Sequence, residues 1–298
     1  MQRVVVLILC FLFLTSNNKQ KLHANIINQE TQIVLTNIAF GAIIATIGSI
    51  INHANDEHWY KTIPKALWQG ALGGVVTYLG KKTAYLIRKE ENLLYAWPAR
   101  FIHAAGQSMI ENVALNKNFW ESYKLDLYFT RLEYNFSSNV FKARLAPFAL
   151  GGMIYMANYG KLNLEKSLLG ATVVFEGKFS KLRENFPSTY FHRYKSIMMW
   201  DEAVPNVYSY FFSHELIHSL QYTDFMSFNA LLNKPINKIS NQFGLMKTIL
   251  EYVYLDVHYM HLVYQIQHLQ VNSDEQYYRN YFEFEAERLS SGSDVEKY

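Results

Sequence analysis

From Ile33 to Ile51 the chain runs nineteen residues without a charged side chain, interrupted only by Thr36, Asn37, Thr46 and Ser49. A run of that length and apolarity has no place on a solvated surface, so it must form a helix that is buried or faces lipid. A second apolar stretch, Ala66 to Gly80, carries Gly70, Gly73 and Gly74 and ends at Lys81 and Lys82. Small residues at such spacings let two helices approach closely. The segment between them, 52–65, is polar and holds Pro64. The expectation is a helical hairpin. Two settings suit it: membrane association through 33–80, or burial in a soluble domain, since fifteen residues barely span a hydrocarbon core.

Residues 1–24 ahead of this hairpin read as a secretory signal. Arg3 supplies a short positive region, Val4 to Thr15 is apolar throughout, and Ser16 or Ala24 offers a cleavage point. Export to the periplasm or cell envelope follows as an expectation. The sole cysteine, Cys10, lies inside that segment. A processed chain would then have neither disulfides nor cysteine metal ligands.

From Lys81 to about Trp120 the pattern is helical and mixed. Its cations Lys81, Lys82, Arg88 and Lys89 read as a solvated face, which beside an apolar hairpin could also meet anionic headgroups. From Tyr123 to Trp200 the texture changes: Leu125, Leu127 and Phe129 alternate with polar residues, and apolar runs recur at Val140–Leu150, Ala171–Phe175 and Thr189–Trp200. This predicts antiparallel sheet. After Pro205 the pattern is helical again, up to a polar tail over Ser290–Tyr298. The predicted fold class is α+β, with a signal at 1–24, a helical part at 25–120 and a metal-site domain at 121–298 in which an antiparallel sheet packs on two active-site helices. Half of the residues are apolar, including 22 Tyr and 20 Phe, enough for a large core. A formal charge of +3 and the lack of a phosphate-binding loop argue against a nucleic-acid partner.

The sharpest chemical signal is His214-Glu215-Leu216-Ile217-His218. On a helix, residues four apart stand one turn apart on one face, so both imidazoles can reach one ion. Glu215 is rotated by about 100° and sits beside that ion, where it can take a proton from bound water. A catalytic zinc needs a third protein ligand. The order in which a histidine follows six residues after the pair is excluded, because Gln221 and Asp224 occupy the glycine and histidine positions. A carboxylate on a later helix remains. Ser273-Asp274-Glu275-Gln276 has the form of a capping box, predicting a helix from there to about Ser290, stopped before Gly292. On it lies Glu283-Phe284-Glu285-Ala286-Glu287. Glu283 and Glu287 share a polar face with Gln276 and Asn280, which an ordinary solvated helix would also show. Glu285 points into the aromatic side, where it must pair with a buried cation or itself serve as the ligand. The residues alone leave Glu283, Glu285 and neither open. His258 and His261 could lie near the ion, though a hydrogen-bonded core histidine is the simpler reading.

These motifs resemble those of the gluzincin metallopeptidases, in particular the membrane-associated group whose ligand helix reads Glu-x-x-Ala-Asp. The resemblance covers about ten residues. It implies Glu283 as third zinc ligand, Ala286 as the small residue that lets two helices pack, and Glu287 in place of the group's Asp as the carboxylate behind the ligands. It implies hydrolysis of a protein or peptide substrate, with Glu215 as the base.

Overall fold

The computed structural model describes residues 29–53, 59–177, 191–193, 196–200, 205–257 and 280–292. The candidate signal at 1–24, the capping box at Ser273, and His258 and His261 lie outside them.

The hairpin is present. Helix α1 (Gln29–Ile51) packs against helix α2 (Trp59–Thr83). The glycines set the distance: a Cβ on Gly41 would lie 2.4 Å from the Gly70 carbonyl oxygen, and one on Gly74 would lie 2.3 Å from that of Asn37. Backbone meets backbone there, which no larger residue permits. Gly74→Ala should therefore destabilise the protein by about 1–3 kcal/mol in denaturant unfolding, despite the roughly 1 kcal/mol that alanine gains over glycine in a helix. A stabilised variant would show that the crossing is looser. Helix α1 is long and apolar enough to cross a membrane, with a mean hydropathy of 2.0, and half of its most apolar window is buried inside the protein.

After the short helix α3 (Tyr85–Lys89), helix α4 (Ala96–Ala114) lies against α1 and α2 and carries the three-stranded antiparallel sheet β1 (Ser122–Leu127), β2 (Thr130–Asn135) and β3 (Val140–Leu145). Its register pairs Leu125 with Leu132 and Leu132 with Ala143. The run Val140–Leu150 is strand only to Leu145, because Pro147 occupies the first turn of helix α5 (Pro147–Ala157), where its fixed φ and missing N–H are tolerated.

A single antiparallel sheet does not continue from there. After β4 (Lys161–Leu162) and the helix α6 (Leu164–Leu169), a second sheet forms in the order β4-β5-β7-β6 from β5 (Val173–Gly177), β6 (Phe191–Arg193) and β7 (Ser196–Trp200). It is mixed, since β5 and β7 run parallel while β6 turns back antiparallel to β7. A buried parallel pair shows continuous apolar runs in place of alternation, and Val173, Val174 and Phe175 are all buried.

Helix α7 (Pro205–Met226) carries the histidine motif and crosses helix α10 (Tyr281–Ser291), with α8 (Asn233–Ser240) and α9 (Gly244–Tyr252) between them in sequence. The predicted helix from Ser273 is corrected at its start. Asn280 has extended backbone (φ −71, ψ 125) and its side chain accepts a hydrogen bond from the Phe282 N–H, so it caps a helix that begins at Tyr281. The helix ends at Gly292, whose φ of +71 suits glycine. Arg88 donates to the Ser291 carbonyl at 2.7 Å, tying that end down.

One apolar cluster joins Ile33, Tyr78, Ile87 and Ala99 to Val174, Ile197, Phe212, Leu216, Ile217, Ala286 and Leu289. It draws on both sides of residue 120, so the hairpin, the mixed sheet and the two motif helices share a core.

Candidate metal centre

The apolar phase of α7 positions the motif. Phe212, Leu216, Ile217 and Leu220 are fully buried, which turns His214 and His218 together toward α10. Ala286 is also fully buried in that interface. Glu283, one turn earlier on α10, thereby faces the histidines.

His214, His218 and Glu283 form a group close enough to hold a metal ion. The two Nε2 atoms are 3.1 Å apart, and Glu283 Oε2 lies 3.4 Å from His214 Nε2 and 3.3 Å from His218 Nε2. These three atoms make a nearly equilateral triangle. Glu283 Oε2 is buried and accepts no hydrogen bond among the described residues. A buried carboxylate oxygen is costly unless a cation sits with it, whether one of the imidazoles in its protonated form or a metal ion.

Each imidazole is held from behind. His218 Nδ1 is 2.8 Å from Gln221 Oε1, and His214 Nδ1 is 3.6 Å from Glu287 Oε2. Tyr210 donates to the same Glu287 oxygen at 2.5 Å. With both Nδ1 atoms turned to oxygen acceptors, both Nε2 atoms face one point, the arrangement that outer carboxylates and amides impose on metal-binding histidines. Burial disfavours charge on both imidazoles, but Glu283 on His218, and Glu283 with Glu287 on His214, more than offset it; His214 is pushed up to about 10. Burial likewise opposes the charge of Glu283, yet His218 and His214 hold its carboxyl well below the usual range. The cluster thus attracts a positive species, whether proton or metal.

Glu215 is buried at 6 % exposure and belongs to the same electrostatic cluster. Burial pushes its carboxyl up, His218 and His214 pull it down, and Glu283 adds to the rise.

Glu285 is fully buried and points away from the triangle. Lys81 donates to its two oxygens at 3.1 and 3.0 Å, Asn37 donates at 2.6 Å, and Gln221 donates at 2.8 Å. Lys81 also pairs with Asp224 at 2.6 Å, and Asp224 is bonded to His103 and Gln107. Reading Lys81 as part of a solvated face is therefore wrong. It is 2 % exposed, while its neighbour Lys82 is exposed and pairs with Glu30. Sequence reasoning read Lys81 as solvated, noted Asn37 only as a break in an apolar run, gave His103 no role, and used Gln221 and Asp224 only to exclude a third histidine. The available signal was polarity at core phases: an Asn inside an apolar helix, and a Glu on an aromatic face that required a cation.

A separate cavity of about 470 Å³ is lined by Glu111, Lys124, Arg131, Glu133, Arg144 and Tyr254. Its charges pair with one another, Arg131 with Glu111, Asp126 and Glu133, and Lys124 with Glu111. It is not continuous with the histidine triangle in its lining residues. Comparison with protein-family models, with curated proteins and with solved structures gives no match.

Proposed function

We propose that the protein is a zinc-dependent peptide hydrolase, with His214, His218 and Glu283 as ligands and Glu215 as general base. The triangle of donor atoms carries this reading. A tetrahedral ion with bonds of about 2.0–2.1 Å places its ligand atoms about 3.3 Å apart, and the edges here are 3.1, 3.3 and 3.4 Å. Two imidazoles and one carboxylate are one of the donor sets of catalytic zinc, which keeps a fourth position for water. A structural site closes all four positions with protein, whereas three donor side chains converge here among the described residues.

Zinc, when bound, supplies a Lewis acid that makes water acidic near neutral pH and polarises a carbonyl. Glu215 accepts the proton of the attacking water and returns it to the departing amine. Its burial suits it to both transfers, because the carboxyl is less reluctant to take a proton than one in water. Glu287 and Gln221 hold the imidazoles in orientation, and Tyr210 fixes Glu287. The zincin-like pairing of a sheet with two active-site helices belongs to this reading, as do a protein or peptide substrate and export through 1–24. The apolar side chains that α1 and α2 leave exposed, including Leu35, Leu67, Trp68 and Leu72, support a place at the envelope membrane.

Metal analysis of the purified protein tests the proposal. Wild type should hold about one zinc per chain, His214→Ala should hold none, and Glu283→Ala should bind at least tenfold more weakly. A metal-free wild type, or zinc retained in His214→Ala, would overturn it. Retention in Glu283→Ala with loss in Glu285→Ala would move the third ligand.

A further inference from the structure

We infer that Gln221 is a positioning residue of this metal site, its carboxamide fixed by Glu285 and the Phe282 carbonyl so that it holds His218 with the Nε2 lone pair facing His214 and Glu283. The inference rests on the metal-site reading and goes beyond it, since neither the motif nor its spacing assigns Gln221 a role.

A carboxamide can be turned two ways, and only its hydrogen-bond partners decide which end is oxygen. The partners here leave one choice. The Phe282 carbonyl, 3.0 Å away, and Glu285 Oε2, 2.8 Å away, are both acceptors, so the NH₂ group must face them. The amide oxygen then faces His218 Nδ1 at 2.8 Å. An oxygen can only accept there, so Nδ1 carries a hydrogen, and in the neutral imidazole that a metal ion requires the lone pair is on Nε2, facing the site. Gln221 is 1 % exposed, so water does not compete for these bonds.

The orientation is anchored further back. Glu285 remains an acceptor because Lys81 and Asn37 donate to it, and Lys81 is in turn paired with Asp224. The order is therefore Lys81, Glu285, Gln221, His218, with the first member on the N-terminal hairpin and the last on the motif helix. The other imidazole is held more loosely: the His214 side chain is 12 % exposed and its Nδ1 faces Glu287 Oε2 at the longer distance of 3.6 Å.

The test compares wild type with Gln221→Met, which keeps the length and apolar contacts of the side chain but offers His218 no oxygen acceptor. Zinc affinity by chelator competition should fall by roughly ten- to a hundredfold, and the visible spectrum of the cobalt(II)-loaded protein should change. Thermal unfolding of the metal-free variant checks that it is folded. Equal zinc affinity and an unaltered cobalt spectrum in the folded variant would overturn the inference. If the variant does not fold, proton NMR of cobalt-loaded wild type decides: two Nδ1–H resonances are expected, one exchanging slowly with water. Rapid exchange of both would overturn the inference. A wild type that binds neither zinc nor cobalt would overturn the metal-site reading itself, an outcome distinct from either.

Discussion

Glu215→Gln is expected to keep the fold and the zinc and to lose about 10²–10⁴-fold in the rate of peptide hydrolysis. The substitution keeps the shape and hydrogen-bonding capacity of the side chain and removes its ability to take a proton. It should not destabilise the protein. Glu215 is buried, and both its burial and the neighbouring Glu283 oppose its charge, so a neutral amide sits there at no greater cost. Inactivity of this variant would therefore report on chemistry. Cleavage of a peptide library read by mass spectrometry, with wild type and Glu215→Gln side by side and zinc content measured in both, provides the comparison. A deletion phenotype rescued equally by the two proteins would sink the catalytic reading and leave a structural metal site in its place.

Lys81→Met should lower stability by about 3–5 kcal/mol, because it leaves two buried carboxylates without their cation. Asp224 and Glu285 flank Lys81 at 2.6 and 3.0 Å, and all three are nearly excluded from water. In thermal unfolding of a chain of this length this corresponds to a fall in Tm of roughly 5–8 °C. The variant Lys81→Met/Asp224→Asn/Glu285→Gln, which removes the stranded charges, should recover much of the loss. A cost below about 0.5 kcal/mol for Lys81→Met, the range of a surface substitution, would contradict the burial of this lysine. The pair also has a pH signature. Burial opposes the charge of Asp224, but Lys81 and His103 outweigh it and hold the carboxyl below its ordinary 3.8. That contribution is present above pH 3.8 and is lost as pH falls through the depressed value. Burial opposes the charge of Lys81 too, but Asp224 and Glu285 hold it above 10.5, so its contribution is lost only as pH rises beyond that.

The local patterns were legible because they depend on a few adjacent residues. Nineteen uncharged residues cannot be other than a buried or lipid-facing helix, and the glycines of the second stretch announced the close crossing that Gly41, Gly70 and Gly74 make. His214, Glu215 and His218 were readable from helical periodicity alone, since one turn brings i and i+4 together whatever the rest of the chain does. Periodicity also placed Glu285 on the apolar side of its helix and demanded a cation for it. It could not say which cation. Lys81 lies 204 residues away in sequence, and at the end of an apolar helix it looks the same whether it meets solvent or a core. Tertiary packing decided that, by setting α2 against the junction of α7 and α10. The start of α10 went the same way: a continuous helical pattern from Ser273 gave no sign that the Asn280 side chain would bond the Phe282 N–H and cap a helix beginning at Tyr281. Sheet pairing was the least legible part. The apolar run Val173–Phe175 does not reveal whether its neighbour runs parallel or antiparallel, because both kinds of strand bury the same faces and only the path of the intervening chain selects between them.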